Sequence, residues 1–301
     1  MAKLKLASYW AAACGGCDVA ILDTHERILD IASAADILFW PIALDCKYAE
    51  VEAMSDGHID VTLFHGAVRN SENEHLARLL RAKSKVLVAF GTCAHIGGIP
   101  ALANLFDRSG IFQRVYHDSP STVNPDGIEP APRTEVPEGE LTLPEFYDTV
   151  QPLNHIVDVD YYVPGCPPTP KQVWNVMLAI IQGNLPPKGA VVGASEKTQC
   201  DECRLTKHEK KITAFKRIAT AQPEQETCYL EQGFLCLGPV TRGGCETRCQ
   251  NSGVPCRGCY GPPPGVVDQG AKAVSAIASV IEAKDEAEVE RVLSRLRPLP
   301  R

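Results

Sequence analysis

The sequence predicts an α/β protein in which a doubly wound, parallel sheet is followed by a cysteine-rich segment that is mostly irregular and helical. Two observations predict the sheet: short apolar runs recur along the first half of the chain, and amphipathic helical patterns lie between most of them. A third observation predicts the later segment, because eight cysteines fall within residues 200–259 among glycines and prolines. The chain has 301 residues, 45% of them hydrophobic, which is enough to bury a substantial core.

Five apolar runs are expected to form the strands of this sheet. The spacing of apolar side chains also predicts helices over residues 18–32 and 71–82, because leucine, isoleucine and valine recur there every three or four positions. Alternation of strand and helix is typical of a parallel sheet covered on both faces. The expected strands cover residues 4–10, 37–40, 61–64, 86–90 and 156–163.

Residues 119–152 interrupt this alternation. Seven prolines fall in the segment, and they disfavour regular structure over a stretch that is long for a connection inside one domain. Two interpretations are equally compatible with the sequence. The segment is either a surface insertion or an ordered arm that grips another subunit.

The first domain is expected to end shortly after a helix over residues 171–182. Residues 183–189 contain two glycines and two prolines, which break regular structure. We therefore divide the chain into a first domain of residues 1–187 and a second domain of residues 188–301.

The second domain has too few apolar residues to build an independent core. It shows little strand pattern, one basic helical stretch near residues 207–220 and two helical runs over residues 269–296. Metal coordination is the usual substitute for a core in a small, cysteine-dense fold. We therefore expect bound metal to hold this domain together.

The charge of the chain and the length of its apolar stretches indicate which partners and which location to expect. A net charge of -7 and a pI near 5.7 give no attraction toward nucleic acid or anionic lipid. No apolar stretch is long enough to span a bilayer, and the first residues show no export signal, so we expect a cytoplasmic protein with no membrane and no nucleic-acid partner. Thiols stay reduced in the cytoplasm, and thirteen cysteines therefore indicate metal binding rather than disulfides.

Four cysteines of the first domain follow the carboxyl ends of predicted strands, where ligands bind in open parallel sheets. Four thiolates suit either a tetrahedral zinc ion or a 4Fe-4S cluster. Glycines beside them favour the cluster, because they leave backbone N–H groups free to approach sulfur. The four are Cys14, Cys17, Cys93 and Cys166.

Eight further cysteines make two groups of four in the second domain. Two zinc ribbons are the alternative to two clusters, since paired Cys-x-x-Cys units are a common zinc signature. Cys46 belongs to none of these groups and is interpreted as a buried, apolar thiol. The first group is Cys200, Cys203, Cys228 and Cys236, and the second is Cys245, Cys249, Cys256 and Cys259.

The cysteine motifs resemble those of the small subunit of nickel-iron hydrogenases over nearly the full chain. The resemblance rests on the motifs Ala13-Cys14-Gly15-Gly16-Cys17, Gly91-Thr92-Cys93 and Pro164-Gly165-Cys166-Pro167-Pro168. It implies a flavodoxin-like first domain that carries the proximal cluster, followed by an iron-sulfur domain with the medial and distal clusters.

The resemblance also implies which cysteines bind which cluster. Cys200 stands where many members carry a histidine ligand of the distal cluster, and Cys236 follows Cys228 at an unusually long spacing. Cys249 is an additional ligand that completes a four-iron medial cluster. The family pattern therefore implies three 4Fe-4S clusters: proximal on the first-domain cysteines, distal on the group from Cys200, medial on the group from Cys245.

The implied function is electron relay. Hydrogen is split in a separate nickel-iron large subunit, and this chain passes electrons to a further iron-sulfur or flavoprotein subunit near the distal cluster. The all-cysteine set resembles the cytoplasmic, viologen-reducing hydrogenases that work with heterodisulfide reductase. The gamma subunit of deazaflavin-reducing hydrogenases is the alternative within the family.

No catalytic residue is expected in this chain. Asp18 stands where relatives often carry a glutamate linked to proton exit, but we interpret it as a helix cap. Three other protein classes compete with this interpretation: a complex I subunit with the same first domain and a single cluster, a zinc-stabilised structural module, and the hydrogenase large subunit itself.

Overall fold

A computed structural model of the chain describes residues 3–209 and 211–294. It contains two compact units, Met1–Gly193 and Ala194–Arg301. The division lies six residues after the predicted boundary because the intervening segment pairs with the first unit. The amide of Gly189 donates to the carbonyl of Asp160 at 2.7 Å, and the amide of Val192 donates to the carbonyl of Tyr162 at 2.7 Å.

The first unit is built on a five-stranded parallel sheet, which confirms the predicted fold class. Its strand order is β2-β1-β3-β5-β9. When only these five strands are numbered along the chain, the order is 2-1-3-4-5, which is that of flavodoxin-like folds. The strands of the first unit are β1 (Leu4–Trp10), β2 (Ala35–Phe39), β3 (Ile59–His65), β4 (Val68–Asn70), β5 (Ser84–Phe90), β6 (Arg133–Val136), β7 (Gly139–Thr142), β8 (Phe146–Gln151) and β9 (Tyr161–Val163).

Helices cover both faces of the sheet. Leu63 of β3 belongs to the apolar cluster on one face, and the adjacent Phe64 belongs to the cluster on the other. The helices are α1 (Gly16–Leu22), α2 (Arg27–Ala34), α3 (Tyr48–Glu52), α4 (Ser71–Lys83), α5 (Thr92–Ile96), α6 (Arg108–Phe112) and α7 (Pro170–Ile181). The predicted helices over 71–82 and 171–182 are confirmed as α4 and α7.

The single helix predicted over residues 18–32 is wrong, because two short helices, α1 and α2, replace it. The break has a local cause. The hydroxyl of Thr24 donates to the carbonyl of Ile21 at 2.7 Å, and His25 has a φ of 55°, which cannot continue a right-handed helix.

The proline-rich segment contains more regular structure than predicted. Strands β6 and β7 form a hairpin, and β8 pairs antiparallel with β4, with Val68 opposite Gln151 and Asn70 opposite Phe146. The prediction failed because the prolines at 132, 137, 144 and 152 stand between these strands rather than within them.

The second unit is mostly irregular, as predicted. Its helices are α8 (Gln199–Glu202), α9 (Arg248–Asn251), α10 (Gln269–Ala278) and α11 (Glu286–Ser294). Helices α10 and α11 confirm the two helical runs, although residues 295–296 of the prediction lie outside the described part of the chain.

The basic helix predicted near residues 207–220 is wrong. The described residues of that stretch are mostly irregular and are held by isolated bridges, in which Ile212 pairs with Ile281 and Lys216 pairs with Phe234. Its backbone groups bond to distant segments instead of to a helical turn: the amide of Ile212 donates to the carbonyl of Val280 at 2.9 Å, and that of Lys216 donates to the carbonyl of Gly233 at 2.8 Å.

Candidate metal centres

The first group of cysteines lies at the carboxyl edge of the parallel sheet. Cys14 precedes α1 and Cys17 lies in it, while Cys93 lies in α5 and Cys166 follows β9. Burial raises the pKa of the Cys17 thiol well above its usual value, and the charges of Cys93, Cys14 and Cys166 raise it further. Three separate loops therefore bring all four predicted thiols into one electrostatic neighbourhood.

Glycines make room around these sulfur atoms. A Cβ atom on Gly91 would lie closer than 3.0 Å to the Sγ atom of Cys17, and one on Gly98 would lie 2.8 Å from the Sγ atom of Cys93. The amide of Gly16 donates to the Sγ atom of Cys14 at 3.4 Å. Space beside sulfur and backbone N–H donors suit the sulfur-rich surface of an iron-sulfur cluster.

The group that begins at Cys200 is also assembled in the second unit. Burial raises the pKa of the Cys200 thiol to about 12; Lys207 opposes this rise, while Cys236, Cys228 and Cys203 add to it. A Cβ atom on Gly238 would lie 3.0 Å from the Sγ atom of Cys200 and 3.6 Å from that of Cys236. Cys236 thus lies with the other three despite its unusual spacing in the sequence.

The group that begins at Cys245 is adjacent to the previous one. Burial raises the pKa of Cys245, to which the charge of Cys249 contributes. Burial also raises the pKa of Cys256 to about 12, with contributions from Cys236 and Cys249. The amide of Cys256 donates to the Sγ atom of Cys236 at 3.4 Å, so the two groups of the second unit are in direct contact. The fourth predicted member, Cys259, follows Cys256 by three residues.

These groups differ from a single-ion site. Among residues 3–209 and 211–294, no set of three or more histidine, cysteine, aspartate or glutamate side chains is arranged to hold one metal ion. A tetrahedral zinc site would require four thiolates at about 2.3 Å from one ion. Glycines instead lie against the sulfur atoms of Cys14, Cys17, Cys93, Cys200 and Cys236.

A buried polar triad lies beside the first group and was not predicted. The Nε1 atom of Trp40 donates to the Oδ1 atom of Asp18 at 2.7 Å, and the Nε2 atom of His65 donates to the same oxygen at 2.9 Å. All three side chains are buried. The interpretation of Asp18 as a helix cap is therefore wrong. Gly15 occupies the N-cap position of α1, and the Asp18 carboxylate accepts hydrogen bonds from Trp40 and His65 instead.

Cys46, which belongs to none of the three groups, has different contacts. Cys46 is partly buried and packs against the apolar cluster that contains Phe39 and Phe64. Its thiol donates to the carbonyl of Leu44 at 3.6 Å.

Comparison with known proteins gives consistent matches. The family described as the 20 kDa subunit of NADH-ubiquinone oxidoreductase matches residues 14–180. The chain is 45% identical over 284 residues to an iron-sulfur subunit of the F420-non-reducing hydrogenase of Archaeoglobus profundus, covering 92% of this chain and 88% of the relative. It is 34% identical over 291 residues to the corresponding subunit of the F420-non-reducing hydrogenase of Methanothermobacter marburgensis, covering 96% of this chain and 88% of the relative.

A solved structure matches part of the chain. It is a chain from the crystal structure of an NAD+-reducing nickel-iron hydrogenase in the H2-reduced state, 31% identical, with a TM-score of 0.53. The match covers 62% of this chain and 94% of the solved one.

Proposed function

Since the chain belongs to the family of the electron-transferring small subunits of F420-non-reducing hydrogenases, we propose that twelve of its cysteines hold three 4Fe-4S clusters. The proposal is supported by one observation: Cys17 lies near Cys14, Cys93 and Cys166, and Cys200 lies near Cys203, Cys228 and Cys236. When bound, such clusters accept and release single electrons.

The proposed ligands are the three groups of four cysteines described above. Each group would hold one cluster through four thiolates. The proximal ligands are Cys14, Cys17, Cys93 and Cys166, the medial ligands are Cys245, Cys249, Cys256 and Cys259, and the distal ligands are Cys200, Cys203, Cys228 and Cys236.

The residues of this chain would hold and tune the clusters rather than perform proton chemistry. The glycines beside the sulfur atoms keep side chains out, and amides such as those of Gly16 and Cys256 donate to sulfur. Hydrogen bonds to sulfur stabilise the more negative, reduced state and so raise the reduction potential. Lys207 acts in the same direction on the distal group, because its positive charge favours the thiolate of Cys200.

The catalytic centre belongs to a large subunit, which is the partner of a hydrogenase small subunit. We extend this to an electron acceptor beside the distal group, such as an iron-sulfur or flavoprotein subunit of a heterodisulfide reductase complex. The names of the relatives describe them as not reducing F420, so the deazaflavin-reducing alternative gains no support.

The proposal separates this chain from the complex I subunit with a similar first domain. The complex I family match ends at residue 180, and all eight cysteines from Cys200 to Cys259 lie beyond it. A cytoplasmic location accompanies the proposal, since reducing conditions would keep these thiols available for iron. Within the described residues, no helix has the length and apolar character needed to cross a membrane.

Metal analysis of the anaerobically purified complex tests this function. We expect about twelve irons and as many acid-labile sulfides per copy of this chain, with paramagnetic signals from three clusters after reduction. About four irons would support a single-cluster protein of the complex I type. Stoichiometric zinc without iron would refute the proposal.

A further inference from the structure

A strongly basic strip, residues 204–217, crosses the surface of the second unit. Six lysines and arginines and one glutamate fall in these fourteen residues, although the whole chain has a net charge of -7. The side chains of Arg204, Lys207, Lys211, Lys216 and Arg217 are all exposed. The rest of the chain is therefore acidic, and this strip is a local exception.

The central lysines of the strip form no close ion pairs, although the charge of Lys207 helps to lower the pKa of Asp201. In the described part of the chain, no carboxylate oxygen lies within 4.0 Å of the amines of Lys207, Lys211 or Lys216. Lys207 donates to the carbonyl of Cys200 at 3.3 Å, Lys211 donates to the carbonyl of Ser279, and Lys216 lies 5.8 Å from the ring centroid of Phe234. Their positive charges remain available to an approaching molecule.

The strip is fixed next to the group that contains Cys200. Thr206 pairs with Thr227 immediately before Cys228, and Lys216 pairs with Phe234 two residues before Cys236. The positive charge of Lys207 acts directly on the Cys200 thiol. Both ends of the strip are therefore anchored to segments that carry the proposed distal ligands.

We propose that the basic strip 204–217 is the docking surface for the electron acceptor, and that this acceptor presents an acidic surface beside its redox centre. The inference rests on the proposed function, because only an electron-relay chain has reason to bring an acceptor to the distal group. Complementary charge would steer the acceptor to the place where electrons leave the chain. Since the remainder of the chain carries net negative charge, an acidic acceptor would be repelled elsewhere.

Steady-state reduction of an acidic probe protein tests the proposal. The whole hydrogenase complex would be supplied with hydrogen and a plant-type ferredoxin. Oxidation of each H2 in the large subunit releases two protons and two electrons, and the electrons reduce two ferredoxin molecules. Electrostatic steering raises association rates by about 10- to 1000-fold and weakens as ionic strength rises. We expect the double variant Lys211→Glu/Lys216→Glu to lose at least about tenfold in kcat/KM for ferredoxin at low salt, with the difference closing at high salt.

Matched controls separate docking from cluster loss. Lys272→Glu changes an exposed lysine of α10 outside the strip and should leave ferredoxin reduction close to that of the unmodified complex. Methyl viologen is a small cation, and its reduction should not fall in the double variant. Iron content should also stay unchanged, because neither lysine is a proposed ligand.

Three results would overturn the docking proposal. They are ferredoxin reduction that does not depend on salt, a double variant as fast as the unmodified complex, and an equal loss in Lys272→Glu. A complex with about four irons, or none, would instead refute the proposed function before the docking question arises.

Discussion

Replacing Gly91 with alanine should remove the proximal cluster and leave the other two in place. Gly91 ends β5 with φ 84° and ψ 163°, a backbone conformation that is essentially restricted to glycine. The new Cβ atom would also lie within 3.0 Å of the Sγ atom of Cys17, whereas ordinary contact begins at 3.4 Å. The sulfur would have to move by at least 0.4 Å, the difference between these limits.

That displacement exceeds what a metal-binding site tolerates. Ligand distances in plausible metal sites agree with their ideal values to within about 0.2 Å. We therefore expect the Gly91→Ala complex to contain about eight irons per chain instead of about twelve, because one of three four-iron clusters is missing. Iron and sulfide analysis, combined with paramagnetic resonance of the reduced protein, measures the loss.

A second glycine provides a control for backbone strain. Gly183, after α7, also has a positive φ of 65°, but nothing lies within 4 Å of the position that an added Cβ atom would take. Gly183→Ala should cost about 1–2 kcal/mol of stability from the left-handed backbone alone and keep all the iron. Full iron content in Gly91→Ala, or an equal loss in Gly183→Ala, would refute the argument that contact with Cys17 is the cause.

Four other predictions follow from contacts of single residues and groups. Asp160→Asn should lower the unfolding free energy by about 2–3 kcal/mol and the Tm by roughly 4–12 °C in calorimetry, because Asp160 accepts from Arg81, Lys188 and the amide of Leu87. Asp56→Asn, at an exposed carboxylate that pairs with Lys83, should change the unfolding free energy by under about 0.5 kcal/mol. Burial opposes ionisation of Asp160, but its hydrogen-bond donors hold the pKa of this carboxyl below its usual value. The contribution of Asp160 to stability should therefore be present above the pKa of the unfolded state and disappear as the pH falls through the pKa of the folded state. A difference in stability between wild type and Asp160→Asn that does not change with pH would contradict this. Asp18→Ala should cost about 2–5 kcal/mol in urea denaturation by leaving the N–H groups of Trp40 and His65 unpaired, and a change as small as that of exposed Asp30→Ala would contradict the triad's importance. Cys46→Ser should keep all of about twelve irons, and any loss would make Cys46 a ligand.

The sheet could be predicted from the sequence because it depends on short-range patterns, and the proposed cysteine groups rest on the same patterns. Apolar runs mark buried parallel strands whatever packs on them. Cysteines placed just after such strands must meet at one edge of the sheet. The motif around Gly91 and Cys93 carries the same information, since the glycine is needed where the Cys17 sulfur approaches.

Features that depend on distant partners could not be predicted in this way. Trp40 and His65 are 22 and 47 residues from Asp18 along the chain, and their meeting at its carboxylate requires the strand order of the sheet. The pairing of β8 with β4 likewise joins segments that are far apart in the sequence, Phe146–Gln151 and Val68–Asn70. The helix predicted over residues 207–220 is wrong because the irregular structure of the described residues there depends on distant partners, Phe234 and Ile281.

Cluster binding and folding should be more tightly coupled in the second unit than in the first. The first unit buries two large apolar clusters on the faces of its sheet. The apolar clusters described in the second unit are small, and cysteines belong to both of them. Burial raises the pKa of Cys200, Cys236, Cys245 and Cys256, so the buried thiols resist ionisation unless iron compensates the charge. With the proposed clusters bound, coordination bonds rather than apolar burial would supply much of the energy that holds this unit in a single arrangement.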